Sequence, residues 1–441
     1  MNTTDNVTIH PCRMLAGTVR VPGDKSVSHR VAMLSALTIG SSRLTGFLRS
    51  EDCLNTLEAV ACLGARVEIT PEYIQVTGRP WACPRRPLDM GNSGTGLRLL
   101  AGLLAGRPWT TELTGDKSLC SRPMQRIQAP LEQMGARVEL LGAGNCAPIR
   151  ITGGALRGIA YPMPVASAQV KSCILLAALF AEGETCITEP LPTRDHTERA
   201  LQVLGIPLRT EGNRITIRGY GPRGPDLTAR DWTVPGDFSS AAFWLVAAAV
   251  LGTAVTVQNV GLNPRRIALL DVLKRMGADL AVVPEQASSA AEPSGAITIR
   301  GADLHGTEIG GAEIPNLIDE LPIAAVAGAL ARGTTVIRDA RELRVKESDR
   351  IACMVANLRA LGIPADERED GMCVSGGATV RGNVELDCYG DHRVAMAMAI
   401  LALRASAPVR IRGVACVNTS YPEFRQHLTL VGAHVELISS H

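Results

Sequence analysis

Six times along this chain an amphipathic run ends at a glycine and passes into alternating residues. The segments are LGARVE ending at Glu68, MGARVE at Glu139, LGIPLR at Arg209, MGADLA at Ala281, LGIPAD at Asp366 and VGAHVE at Glu436. Their glycines, Gly64, Gly135, Gly205, Gly277, Gly362 and Gly432, stand 71, 70, 72, 85 and 70 residues apart. A repeat this regular constrains the fold more tightly than composition can. Apolar residues recur at helical spacing before the glycine, as in CLNTLEAVACLG; glycine suits a left-handed helix cap; ARVEIT alternates as a strand does. The long interval holds EQASSAAEPSGA (285–296), which reads as a solvated loop insertion.

Each repeat also carries an earlier, more apolar helix, such as SGTGLRLLAGLLAG, FSSAAFWLVAAAVLG or HRVAMAMAILALRA, followed by a β-type stretch such as TAVTVQNV. Helices without a polar face belong inside a domain. One repeat therefore reads strand, buried helix, strand, surface helix, strand, an α/β fold. Two domains of three repeats each is the economical arrangement for 441 residues; a continuous six-unit array is the alternative.

The starts of these buried helices are polar: GDKS (23–26), GNSGT (91–95), SAQVK (167–171), GDFSS (236–240), IDELP (318–322) and GDHR (390–393). Small and hydroxyl residues cap helices, and GDFSS is read as capping alone. Capping does not call for Lys25, Arg30, Lys171 or Arg393, whereas cations beside free helix N–H groups make anion sites. Three loops add charge: RPMQR (Arg122, Arg126), TRDHTER (Arg194, His196, Glu198, Arg199) and RVKESDR, in which Lys346 and Arg350 would share one face of a helix.

The basic and acidic totals, 45 and 43, leave no global field for nucleic acid or an anionic membrane, so cations for an anionic ligand must be gathered at a site. Twelve scattered cysteines without C-x-x-C pairs or zinc-like spacing read as free thiols in a reducing compartment. MNTTDNVTIH has no secretory pattern and FWLVAAAVL is too short to span a bilayer, so a cytoplasmic protein is expected.

GDKS, GNSGT, RPMQR, SAQVK, RDHTE, RVKESDR, GDHR and SYPEF stand in the order of one family. On these motifs, from about Leu15 to Val435, the chain resembles the 5-enolpyruvylshikimate-3-phosphate synthases, and in GDKS, SAQVK and RDHTE their class II bacterial branch. The resemblance implies a two-domain enolpyruvyl transferase fold of six βαβαββ repeats, three per domain, with the active site in the interdomain cleft. It places 22–233 in an inserted domain and 1–21 with 234–441 in a discontinuous one. It implies transfer of the enolpyruvyl group of phosphoenolpyruvate to the 5-hydroxyl of shikimate 3-phosphate by addition and elimination. An acid–base pair and cations for phosphates and carboxylates serve that reaction without metal or cofactor.

By the same resemblance Lys25, Asp319, Lys346 and Glu347 are catalytic, Asp319 as base for the hydroxyl and Glu347 as acid at the methylene carbon. Lys25, Ser26, Arg30, Ser167, Ala168, Gln169, Arg194, Asp319 and Lys346 would hold shikimate 3-phosphate. Lys25, Gly94, Arg122, Gln169, Arg350 and Arg393 would hold phosphoenolpyruvate. Asn92, Glu320, Asp391 and His392 would support these from behind. A monomer binding only these small molecules is expected, with no nucleic acid or membrane partner. Glyphosate occupies the phosphoenolpyruvate site in this family; Gly94 points to sensitivity, which is the expectation here, whereas the class II resemblance points to tolerance.

Two positions depart from the pattern: Asn263-Pro264-Arg265-Arg266 replaces N-P-T-R, and Thr419 stands where the plant-like branch has Lys. The former lies outside the expected contacts. The related UDP-N-acetylglucosamine transferases carry a loop Cys where this chain has Lys117, with Cys120 at the wrong offset. A non-catalytic phosphate-ligand binder on the same scaffold would have no reason to keep Asp319 and Glu347 together.

Overall fold

A computed structural model describes residues 6–285 and 292–438. Most of the predicted loop insertion, 286–291, lies outside the described residues. The chain divides into two compact units. An inserted unit comprises Gly23–Val234 with Glu292; a discontinuous unit comprises the segment up to Pro22 and the chain from Pro235 onward.

Six four-stranded sheets, three in each unit, share one topology. In the second repeat Leu88–Asp89 runs parallel to Thr110–Thr114, which is antiparallel to Ile149–Thr152, itself antiparallel to Arg137–Leu140. Helices Gly94–Ala105 and Gln125–Met134 alternate with these strands, giving βαβαββ with spatial order 1-2-4-3. The sequence reading of each repeat lacks the final strand, which turns back after the third and lies between the second and third strands, as Tyr73–Gly78 does between Gly40–Thr45 and Arg66–Ile69. The recurring glycine has positive φ in all six repeats, from 80° at Gly205 to 118° at Gly64, a region that disfavours any side chain.

Three repeats borrow a strand from afar. Trp232–Thr233 completes the first sheet beside Gly40–Thr45. Gly17–Arg20 completes the fourth beside Ala254–Gly261. Asn6–Ile9 lies between Val409–Arg412 and Val435–Ile438 in the sixth.

The apolar helices form the cores. In the discontinuous unit Phe238–Leu251, Leu321–Leu330 and His392–Ala402 pack on one another, and Trp244 is wholly buried against Tyr421 and Phe424. In the inserted unit Gly94–Ala105 lies close against Ala168–Ala178: a Cβ on Gly102 would stand 2.2 Å from the Cys173 carbonyl oxygen. Among the described residues no helix is long and apolar enough to cross a membrane.

Candidate active site

The buried helices are capped by the small polar residues of the motifs. Asp24 Oδ1 accepts from Val27 N (2.9 Å) at the start of Lys25–Leu37, and Ser93 Oγ accepts from Gly96 N (2.9 Å) at the start of Gly94–Ala105. Asp391 caps His392–Ala402 by accepting from Arg393 N (2.8 Å). Capping leaves the remaining first-turn N–H groups and the positive dipole end at each terminus.

In the inserted unit, Lys25 Nζ lies 2.5 Å from the buried Asp52. Arg122 donates to the carbonyl oxygen (3.1 Å) and Oδ1 (2.6 Å) of Asn92 and to Ser118 Oγ (3.0 Å), which holds its guanidinium beside Gly94. Gln169 donates to Thr95 Oγ1 (2.9 Å) and accepts from Arg98 Nη1 (2.8 Å). Asn92, Gly94, Arg122 and Gln169 thus share one small region. Ser167 caps the helix that begins at Ala168, accepting from Val170 N (3.4 Å).

Arg30 is buried and donates to Thr197 Oγ1, Ser172 Oγ and the Ser26 carbonyl oxygen. Burial, partly offset by Glu198, Asp24 and Glu292, brings its pKa down to about 10, with Arg194 adding repulsion. Beside it His29 bonds Thr56 Oγ1 (2.7 Å) and Ser93 Oγ (3.1 Å); burial, with Lys25 and Arg30, holds its pKa well below the usual value.

Lys171 differs from what its place in SAQVK suggests. It is wholly buried on Glu189 (3.1 Å) and Glu198 (2.7 Å), so its charge is committed inside the protein rather than presented to a ligand anion.

In the discontinuous unit three separate segments converge. Arg350 is wholly buried, with Nε 2.8 Å from Asp391 Oδ2, Nη2 2.5 Å from Glu347 Oε2 and Nη1 3.5 Å from Asp319 Oδ1. Burial opposes its charge, but Asp391, Glu347 and Asp319 outweigh that and raise its pKa above the ordinary value. Arg393 Nε lies 3.7 Å from the same Asp319 oxygen, and its Nη1 donates to the Asp319 carbonyl oxygen (2.8 Å). Asp319 therefore sits between two guanidiniums.

Burial lowers the Lys346 ammonium below the ordinary lysine value, against the attraction of Asp319, Glu342 and Glu347. Lys346 and Arg350 do not share a helix face. A 3-10 turn ends at Val345, Lys346 has left the helical conformation, and the helix begins at Arg350 with Asp349 as its cap. The capping carboxylate stops helix from propagating back through Glu347.

Of the residues expected to support these, Glu320 and Asp391 belong to the same cluster, and His392 begins the helix that Asp391 caps. Glu320 is buried on Arg266 (2.9 Å) and accepts from Ser239 Oγ; His392 Nδ1 lies 3.5 Å from Thr419 Oγ1. Arg266 also reaches Asp237 (3.3 Å) and Ser239 (2.6 Å), so GDFSS anchors an arginine as well as capping its helix. The N-P-R-R segment thus has a role the sequence did not disclose: Arg266 fixes Glu320, the neighbour of Asp319. Arg98 and Asp52 were missed likewise. Only Arg98 had a usable signal, standing four residues after Gly94 on the same helix face.

The EPSP synthase (3-phosphoshikimate 1-carboxyvinyltransferase) family model matches residues 9–428. A 3-phosphoshikimate 1-carboxyvinyltransferase of Akkermansia muciniphila is 51% identical over 435 residues, covering 96% of this chain and 99% of that protein. One of Shouchella clausii is 46% identical over 418 residues, covering 94% and 96%. Among solved structures, an EPSP synthase from Acinetobacter baumannii superposes with a TM-score of 0.86 at 42% identity, covering 99% of this chain and 100% of that one. The enolpyruvyl transferase NikO from Streptomyces tendae shares the fold, with a TM-score of 0.81 at 18% identity.

Proposed function

The chain belongs to the EPSP synthase family, and on that premise we propose that its two polar clusters divide one reaction between them. It is an enzyme that transfers the enolpyruvyl group of phosphoenolpyruvate to shikimate 3-phosphate, in aromatic amino acid biosynthesis. The residue roles are our reading. Ser26, Arg30, Ser167, Ala168, Gln169 and Arg194 hold shikimate 3-phosphate through charge-assisted and helix-start hydrogen bonds. Gly94, Arg122, Arg350 and Arg393 hold phosphoenolpyruvate, with Lys25 serving both substrates.

Asp319 takes the proton of the 5-hydroxyl as its oxygen bonds to C2 of phosphoenolpyruvate, and Glu347 protonates the methylene carbon, with Lys346 beside both. A proton then leaves that methyl group, the double bond re-forms and phosphate departs. The chain acts as a cytoplasmic monomer and draws on its own side chains for this chemistry.

The convergence of Asp319, Glu347, Lys346, Arg350 and Arg393 from three separate segments carries this reading. An acid–base pair accounts for roughly 100- to 10,000-fold in rate. Asp319→Ala and Glu347→Gln should each cut phosphate release by a factor in that range while phosphoenolpyruvate still binds. Near-wild-type turnover in either variant removes that residue from its role. Phosphate release with UDP-N-acetylglucosamine but not with shikimate 3-phosphate would overturn the acceptor.

A further inference from the structure

In the sixth sheet the strands Asn6–Ile9 and Val435–Ile438 pair antiparallel, Ile9 opposite Val435 and Thr8 opposite Glu436. The pairing runs one step further, since His10 N donates to the His434 carbonyl oxygen (3.1 Å). His10 and His434 are therefore directly opposite on one face, and Glu436, two residues along, lies on the same face. Val7, Ile9, Val435 and Leu437 point the other way and line a pocket of about 220 Å³ against the helix carrying Ala395 and Ala399.

The three polar groups converge. The imidazoles stack with centroids 4.2 Å apart, and one ligand atom from each residue lies within 4.8 Å of the others. His10 Nε2 is 3.0 Å and His434 Nε2 3.6 Å from Glu436 Oε1. Around a four-coordinate zinc ion with bonds of about 2.0–2.1 Å, neighbouring ligand atoms stand roughly 3.3–3.4 Å apart. The distances of 3.0 and 3.6 Å bracket that value.

A second observation points the same way. His10 Nε2 is shielded from water, and its 3.0 Å contact with Glu436 Oε1 is an ion pair only when the ring is protonated and is not aligned as a hydrogen bond. Ligands of one ion face the ion rather than each other, so close approach without a hydrogen bond is the contact they make.

We propose that His10, His434 and Glu436 form a binding site for a divalent transition-metal ion of the zinc type, separate from the reaction. Two imidazoles and one carboxylate favour zinc, cobalt, nickel or copper over magnesium or calcium. The half-exposed carboxylate leaves a position open to water. The ion would join residues 424 positions apart (434 − 10) and brace the sheet under the helix His392–Ala402.

The test uses the full-length enzyme, stripped with chelator and titrated with cobalt(II), then zinc. One cobalt ion per chain should bind with visible absorption and no thiolate charge-transfer band, which separates this site from the twelve cysteines. Zinc should displace the cobalt and raise the melting temperature. His434→Ala alters an exposed side chain and should abolish both effects, weakening zinc by more than the roughly 10-fold that even an outer partner is worth. Phosphate release should stay unchanged. Glu436→Gln should weaken binding in between. A thiolate band, binding unchanged in His434→Ala, or no binding at micromolar cobalt would overturn the proposal.

Discussion

At the residue scale, Gly94 shows how a contact redefines a motif. A Cβ there would meet Arg98 Nη1 at 2.7 Å and Arg122 Nη1 at 3.4 Å. The first neighbour is the end of a flexible side chain, so Gly94→Ala should fold, with the Arg98 guanidinium displaced from Gln169 and Pro123. The expected result is a raised KM for phosphoenolpyruvate with a nearly unchanged melting temperature, and a larger rise in the glyphosate inhibition constant. Equal inhibition constants for wild type and variant would remove Gly94 as a determinant.

His29 gives a pH prediction. Its folded pKa is depressed, so below about pH 6.5 the unfolded chain binds a proton that the folded protein resists. Stability should fall with pH in that range, with His29 contributing up to about 1.4 kcal/mol per pH unit. Urea unfolding at pH 7 and 5.5 checks the slope, which His29→Gln should flatten whatever its effect on absolute stability. The motifs made the cations and carboxylates visible in sequence, but not their partners. Lys25 meets Asp52 and Arg266 meets Glu320 across 27 and 54 residues, and local patterning holds no record of such pairings.

At the element scale, the recurring glycine and the apolar helices were legible because both follow from local rules: a left-handed cap, and helices with no polar face. The break at Lys346 was not. Spacing alone matched a helix, and Asp349 as a cap outweighed it. Close helix packing was equally hidden. Gly102 reads as a helix-weakening residue, yet it admits the Cys173 backbone. Gly102→Ala would gain helix propensity of about 1 kcal/mol. It must also push two helices apart, at a typical overpacking cost of about 1–3 kcal/mol. Because the neighbour at 2.2 Å is backbone, which cannot swing aside, the cost should win. A lower urea midpoint is the expected reading; an unchanged one would mean that the helices separate freely.

At the scale of the whole molecule, the borrowed strands decide which parts depend on the chain ends. Truncation after Val431 removes Val435–Ile438 and leaves Asn6–Ile9 with one partner strand instead of two. Amide exchange should then quicken across Val409–Arg412 and the helix His392–Ala402, while protection within Gly23–Val234 persists; uniform loss of protection would contradict this division. The same arrangement sets an order of events on the ribosome. Every strand of the inserted unit's sheets has been synthesised by Thr233, so that unit can close while nearly half the chain is unmade. Asn6–Ile9 must wait for Val435–Ile438, more than four hundred residues further along the chain. At about 5–20 residues per second the wait is roughly 20–85 s. Until Val409–Arg412 is made both edges of Asn6–Ile9 are open to any other nascent chain, and until Val435–Ile438 follows one edge still is.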